Sequence, residues 1–235
     1  LQTIPIVKDC VHTGRFRLAK EIDSEKKCLR TRKPRRLVPI AKQESAIVAV
    51  AAELFLERGF RGVSIDAITS IVGGSKRDIY ALFRDKENLF DRCVSMLVAE
   101  RAAPLDHVLP TDDIEACLIS VGQLIINIFL QPRTLALHKL MVSNGDRTLS
   151  ASQSFLQGGP QRAYKAVSEL LRYYSLSNRY NILDPEASAK IIVSGLTAEL
   201  QIRALMGESI EQSERETKAS LVIRQFLNGI CAATT

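Results

Sequence analysis

The chain lacks any apolar run approaching the ~20 residues that a membrane span requires. It also lacks, near its amino terminus, the apolar stretch followed by small residues that marks a secretory signal. A non-exported protein without a membrane segment, at home in the cytoplasm, is therefore expected. Cysteine is sparse and scattered: Cys10, Cys28, Cys93, Cys117 and Cys231 are odd in number and form no CxxC pair. That argues against a disulfide framework and against a zinc site, and suits a reducing compartment. The three histidines, His12, His107 and His138, stand far apart with no carboxylate at ligand spacing. HExxH, a glycine-rich phosphate loop and a GxSxG elbow are all missing. No metal, no cofactor and no enzymatic centre is expected. A hydrophobic content of 46% excludes a disordered or collagen-like chain and can support a real core.

Charge is present but uneven. Residues 1–41 carry 11 Lys/Arg against 4 Asp/Glu, whereas the rest of the chain carries 21 against 22. All of the excess behind the net +6 thus lies in the first segment. This segment shows no sustained helical period, contains Arg32-Lys33-Pro34-Arg35-Arg36 and ends near Pro39, which disfavours helix in the residue before it. It reads as a basic, mostly disordered extension over 1–40, either an arm for nucleic acid or a solvated leader.

From Lys42 the pattern turns helical. Ile47, Ala51, Leu54 and Phe55 recur on one face, with Gly59 as a carboxy-terminal cap and Phe60 as the apolar contact beyond it. Ser64 offers an N-cap, Asp66 complements the helix dipole, and Ile65, Ile68 and Val72 face inward until Gly73-Gly74 breaks the helix. Ser75 caps the next helix, Asp78 stands three residues on as in a capping box, and Ile79 and Phe83 face inward. Two short helices joined by a glycine-containing turn of three or four residues make a helix-turn-helix, whose second helix can enter a DNA major groove. Lys76, Tyr80 and Arg84 fall at i, i+4 and i+8 and predict a cationic, hydrogen-bonding ridge. Free amides at the starts of both helices add anion-binding donors. Asp85 caps a fourth helix carrying Leu89, Phe90, Cys93, Val94 and Leu97, which ends before Pro104.

The remainder is helical by pattern, and no segment alternates as a strand would. Helices are expected from Asp112 or Asp113 through Leu130, from Pro132, over 152–176 with a break at Gly158-Gly159-Pro160, from Asp184-Pro185, and from Ser209. The fold class is all-α.

The stretch Ile47–Phe90, IVAVAAELFLERGFRGVSIDAITSIVGGSKRDIYALFRDKENLF, resembles the DNA-binding domain of TetR-family regulators. The likeness lies in the AxxLFxxxGF helix end, the hydroxyl residue opening helix two, the turn glycine, the Ser-Lys start of helix three and the Tyr-x-x-Phe…Lys-Glu-x-Leu-Phe close. Further on, FLQGGPQRAYKAVSELL and DPEASAKIIVSGL are similar to the carboxy-terminal domain of the AefR-like branch. The resemblance implies a three-helix helix-turn-helix domain over 41–101 and a helical bundle for effector binding and dimerisation over 104–231. It implies that Ser64 gives its hydroxyl to a phosphate, that Ser75, Lys76, Arg77 and Tyr80 face the groove and its walls, and that Lys86 reaches a backbone phosphate. The expected partners are a double-stranded DNA operator, a second copy of the chain and a small lipophilic effector. A DNA-bound dimer without an effector pocket is the alternative; a helical enzyme is disfavoured because no acid, base and nucleophile cluster.

Two positions depart from the family pattern. Asp78 stands where a small or hydroxyl residue is common; it can bond back to the cap amide or accept from a cytosine amino group. Gly74 stands where an aliphatic anchor is common. Residues Lys42–Arg92 are charge-neutral, eight basic against eight acidic, so the arm could supply attraction that the domain lacks. Effector contacts are expected from Leu118, Ile125, Phe129, Leu137, Met141, Phe155, Tyr164 and Leu171. Gln123, Asn127 and His138 are either a pocket's orienting polar groups or ordinary surface and core residues. The last two helices, near Asp184–Met206 and Ser209–Ile230, are the expected dimer interface, through Gly195 and Ala198 and the stripe Ala219, Val222, Ile223, Phe226, Leu227 and Ile230. That stripe could instead belong to the chain's own core.

Overall fold

The computed structural model describes residues 40–144, 149–176 and 180–230. The basic extension, with Cys10, His12 and Cys28, falls outside them, as do Cys231 and the side chain of Ile230. From Ile40 onward the chain forms one compact unit, and its described residues hold α-helices and one 3-10 turn but no strand. The first four helices are α1 (Ile40–Gly62), α2 (Ile65–Val72), α3 (Lys76–Phe83) and α4 (Lys86–Ala102).

Local chemistry sets these boundaries. Gly59, at φ 71° and ψ 170°, breaks α1 where the cap was expected and turns Phe60 inward. There Phe60 meets Phe55 at 5.9 Å and Phe90 at 5.0 Å between ring centroids. The α2–α3 turn contains two successive positive φ values, 72° at Gly73 and 98° at Gly74. A side chain at either position would be strained, which accounts for glycine at both. Side-chain oxygens start the three short-range helices: Ser64 accepts from Ala67 N–H (3.1 Å), Ser75 from Asp78 N–H (3.3 Å), and Asp85 from Asn88 N–H (2.7 Å).

After the 3-10 turn Ala103–His107 come α5 (Ile114–Leu130), α6 (Pro132–Asn144), α7 (Leu149–Gly158), α8 (Pro160–Ser175), α9 (Pro185–Leu205) and α10 (Gln212–Ile230). Asp113 and Asp184 cap α5 and α9. The final helix starts three residues later than the Ser209 start expected from sequence. Ile210 is drawn into the core, and its carbonyl accepts from both Nε (3.0 Å) and Nη2 (2.7 Å) of Arg215. No single helix among the described residues is long and apolar enough to cross a membrane; α5 and α6, apolar together, meet at a 61° bend.

Two apolar cores divide the unit, and the division does not follow chain order. The head core holds Phe55, Ile68, Ile79, Leu89 and Phe90, but also Leu137, Leu140 and Met141 from α6 and Ala151 from α7. The bundle core is built from α5, α8, α9 and α10, with Leu118, Ile125, Leu171, Ile192 and Ile223 among its members. Helices α6 and α7 therefore pack with the head, although they belong by sequence to the 104–231 segment. Helix α4 lies against both α1 and α7, so its final turns run along the seam between the cores.

Candidate nucleic-acid interface and effector cavity

In the head, Ser75 and Asp78 form a reciprocal capping box: Ser75 N–H donates to Asp78 Oδ2 at 2.9 Å, and Asp78 N–H donates to Ser75 Oγ. The carboxylate therefore serves its own helix, in line with the local reading of Asp78. Because Ser64 and Ser75 use their oxygens as acceptors, each hydroxyl hydrogen is left for an outside acceptor such as phosphate. Lys76, Arg77 and Tyr80 are exposed on α3, Tyr80 at 47%, while Ile79 and Phe83 hold the opposite face in the core.

Two cations of the expected ridge, Arg84 and Lys76, and the neighbouring Lys86 each have a local geometry or partner of their own. Arg84 does not continue the helix: it adopts φ 66° and ψ −52° as the C-cap of α3, so the i, i+8 alignment with Lys76 is lost. The reason is steric economy, since Asp85 must be extended to cap α4 and only one residue separates it from Phe83. Lys76 is held by Asp66 of α2 at 2.9 Å, and the hydrogen bond that it donates to the Asp66 carboxylate raises its pKa above the ordinary lysine value. Lys86 lies over the Phe60 ring, 4.4 Å from its centroid, and partial burial lowers its pKa.

A small, partly open cavity of about 70 Å³ occurs at the seam between the two cores. Helix α4 contributes Val98, Arg101 and Ala102; α6 contributes Thr134, Leu137 and His138. Phe129, Phe155 and Gln201 close it from α5, α7 and α9. Of the expected effector residues, Phe129, Leu137, His138 and Phe155 meet here. Leu118, Ile125 and Leu171 are instead interior to the bundle core, Met141 is interior to the head core, and Tyr164 packs on the bundle core from outside. Asn127 accepts from Arg215 Nη1 at 3.4 Å on the far side of α5, and half-buried Gln123 also lies outside the cavity. His138 stands edge-on to Phe155 at 5.8 Å, and burial lowers its pKa.

Sequence reasoning did not single out Arg101, Thr134 or Gln201. An arginine one residue from the end of an amphipathic helix ordinarily reads as solvated, and only the approach of α6 and α9 buries it. Among the described residues no group of three His, Cys, Asp or Glu could hold a metal ion. Cys93 is buried, donates to Val48 O at 3.4 Å and has its thiol pushed up to about 12, so it stays protonated.

On the bundle's outer face, the expected dimer residues separate into two sets. Ala219, Ile223 and Leu227, at i, i+4 and i+8, are buried inside the protomer. Gly195 and Ala198 are exposed, whereas Val222 and Phe226 are half-buried. The exposed apolar stripe runs through Ile191 (69% exposed), Gly195, Ala198 and Ile202 (54%) on α9 and reaches Leu221 (55%) on α10. Gly195 faces α10, where a Cβ would make ordinary contact with Val222 at 3.4 Å.

Comparison with known proteins agrees with this geometry. The profile for bacterial regulatory proteins of the tetR family matches residues 47–93, and that for the AefR-like transcriptional repressor carboxy-terminal domain matches residues 116–229. The HTH-type transcriptional repressor BdcR of Escherichia coli (strain K12) is 37% identical over 90 residues, which span 38% of this chain and 43% of BdcR. A TetR-family regulator structure from Mesorhizobium loti MAFF303099 superposes with a TM-score of 0.77 at 20% identity, over 83% of this chain and all of that one. The flavonoid-responsive regulator FrrA gives 0.69 at 22% identity, over 83% of this chain and 100% of its own. A TetR-family regulator from Pseudomonas syringae pv. tomato str. DC3000 gives 0.62 at 19%, over 80% and 97%. With one profile on the capped helix pair and its neighbours and the other on the bundle, the chain belongs to the TetR family of bacterial transcriptional regulators, with an AefR-like carboxy-terminal domain.

Proposed function

We propose that the protein is a repressor that binds a pseudo-palindromic DNA operator as a homodimer and leaves it when a small molecule fills the seam cavity. The observation that carries this reading is the course of α4. Its first turn follows the recognition helix α3 by two residues, and its last turn supplies Val98, Arg101 and Ala102 to the cavity. One 17-residue helix, about 25 Å long, thus touches both places. A ligand need only favour a cavity shape that repositions α4, because differential affinity for two states is what shifts an equilibrium. The name of FrrA, a protein of similar fold, describes response to a flavonoid, which supports a small-molecule trigger by analogy. The stripe Ile191, Gly195, Ala198 and Ile202 with Leu221 supports a two-fold four-helix interface, since one short recognition helix reads few base pairs and a second copy is needed for useful specificity. Operator binding on chromosomal DNA would place the protein in the cytoplasm.

Selection from a random duplex pool with the full chain is expected to enrich a pseudo-palindrome. On that site, Lys76→Ala and Arg77→Ala should each weaken binding, and whichever side chain pairs with a guanine edge should cost ~1–3 kcal/mol, about 5- to 150-fold. Tyr80→Phe and Lys86→Ala should weaken all sequences alike, as phosphate contacts do. Failure to enrich any sequence, or full affinity in both the Lys76 and Arg77 variants, would remove α3 as the reading element.

A further inference from the structure

Arg101 and Thr134 stand apart from the rest of the molecule. Among the described residues, the buried side-chain nitrogen and oxygen atoms without a hydrogen-bond partner are Arg101 Nε, Arg101 Nη2 and Thr134 Oγ1. Both residues line the seam cavity. Nε and Nη2 form one edge of the planar guanidinium, where two N–H bonds run parallel and match the two oxygens of a carboxylate. No aspartate or glutamate is among the side chains lining the cavity. Arg101 as a residue is half-buried, but this edge of it is desolvated and unpaired, which is costly, and other arginines of this chain pair the same edge. Arg203 pairs with Glu208 and Glu214, and Arg215 directs both Nε and Nη2 to the Ile210 carbonyl.

We propose that the seam cavity is a binding site for a small organic monocarboxylate, its carboxylate gripped by the Arg101 edge and Thr134 Oγ1 and its apolar body enclosed by Val98, Leu105, Phe129 and Phe155. This names the ligand class for the effector reading above and rests on it for any consequence at DNA. The surroundings select against other anions. Arg101 is the sole arginine or lysine in the lining, and the imidazole of His138 is held toward its neutral form by burial, so a phosphate dianion would lack counter-charge. The volume limits the body: an apolar cavity of about 150 Å³ takes up benzene, and this one is about 70 Å³. A body of a few carbons fits as the cavity stands, and a single ring requires the half-buried Phe129 to give way.

The test compares acids with their neutral amides on the full chain in phosphate-free buffer near neutral pH: acetate, butyrate and benzoate against acetamide, butyramide and benzamide. Thermal shift and calorimetry should show at least one acid binding at least about tenfold more tightly than its amide, the scale of a lost charge-assisted hydrogen bond. Arg101→Met should equalise acid and amide, and its ligand-free Tm should equal or exceed that of the wild type because two unpaired buried donors are gone. Thr134→Val should reduce the preference less. If Arg101→Met does not fold, Arg101→Lys gives the same reading, since an ammonium cannot present the parallel pair. The proposal is overturned if no acid outperforms its amide on the wild type, or if the preference survives the Arg101 substitutions. Operator release, measured in parallel, separates the two ideas. An acid that binds through Arg101 yet leaves DNA bound sinks the effector reading alone, whereas a neutral compound that releases DNA while no acid binds sinks the carboxylate site alone.

Discussion

The head and the seam treat their polar groups in opposite ways. In the head, the capping oxygens of Ser64, Ser75, Asp78 and Asp85 meet backbone amides, and three phenylalanine rings fill the space behind them. At the seam, a guanidinium edge and a hydroxyl are buried without partners beside an open volume. A satisfied, densely packed element has one arrangement and holds its surface side chains at fixed spacing. An unsatisfied one leaves hydrogen-bonding groups free for a ligand. On the function proposed above, geometry belongs to the head and response to the seam, and α4 belongs to both.

The steepest expected loss separates the head from the bundle's outer face. Leu221→Glu places a charge on the exposed apolar stripe while leaving every head contact intact. If that stripe joins two copies, operator affinity should fall ~100- to 10,000-fold, the scale of losing a tethered second site, and sedimentation should show monomers of unchanged helicity. A variant that remains dimeric moves the interface elsewhere. Ile223 is unsuitable for this purpose because it is fully buried in its own protomer. Next in size is the contrast between two phenylalanines. Phe90→Ala, at the centre of the ring cluster, should cost ~3–5 kcal/mol in denaturant unfolding, whereas Phe155→Ala, half-buried at the cavity wall, should cost less than half of that. Equal losses would mean that the seam is packed as tightly as the head.

What could be read from sequence follows the range of the forces involved. The caps at Ser64, Ser75, Asp85 and Asp184 and the breaks at Gly59, Gly73 and Gly158 depend on neighbours within four residues, and each appears where the chain alone placed it; of the two starts open for α5, Asp112 and Asp113, the cap is Asp113. The left-handed Arg84 was implicit as well. A residue between a helix end at Phe83 and an extended cap at Asp85 has no room to stay helical, but helical periodicity alone carried Arg84 onto the ridge. Periodicity also could not tell which apolar face of α10 meets its own core, because an interface and an interior require the same spacing; Ala219, Ile223 and Leu227 took the inner face. The cavity was the least legible feature. Its walls come from six helices, the 3-10 turn and Gly159, and the Nε–Nη2 edge of Arg101 becomes buried only when residues far along the chain, from Ile128 to Gln201, close over it.

The seam itself can be pressed without any ligand. A Cβ at Gly158 would lie 2.6 Å from Val98 Cγ1, and Val98 both lines the cavity and sits on α4. Valine is stiff about χ1, so the helix rather than the side chain has to yield. Gly158→Ala should therefore destabilise the fold by ~1–3 kcal/mol and weaken operator binding in the absence of effector, while Gly59→Ala, strained only by its backbone, should lower stability without a matching change at DNA once the remaining folded fraction is accounted for. Operator affinity that tracks folded fraction alone in both variants would uncouple α4 displacement from DNA release.

The smallest expected effect probes whether the head's self-sufficiency has a cost at DNA. Asp66 occupies Lys76 at 2.9 Å on the same surface that would meet phosphate, and the residues around it are charge-neutral overall. An exposed pair of this kind contributes little to folding and is screened by salt, so Asp66→Asn should leave the head folded while releasing the ammonium and removing a carboxylate that repels the backbone. Affinity should then rise by about two- to fivefold on every duplex tested. The plot of log K against log salt should steepen by up to ~0.9 if Lys76 gains one full phosphate contact. Because phosphate contacts carry no sequence information directly, the ratio of specific to non-specific binding should stay constant. A gain confined to the selected site would show that Asp66 or the freed Lys76 reads a base, and no gain at all would show that Lys76 keeps its partner on DNA, leaving Arg77 as the principal cation of the recognition helix.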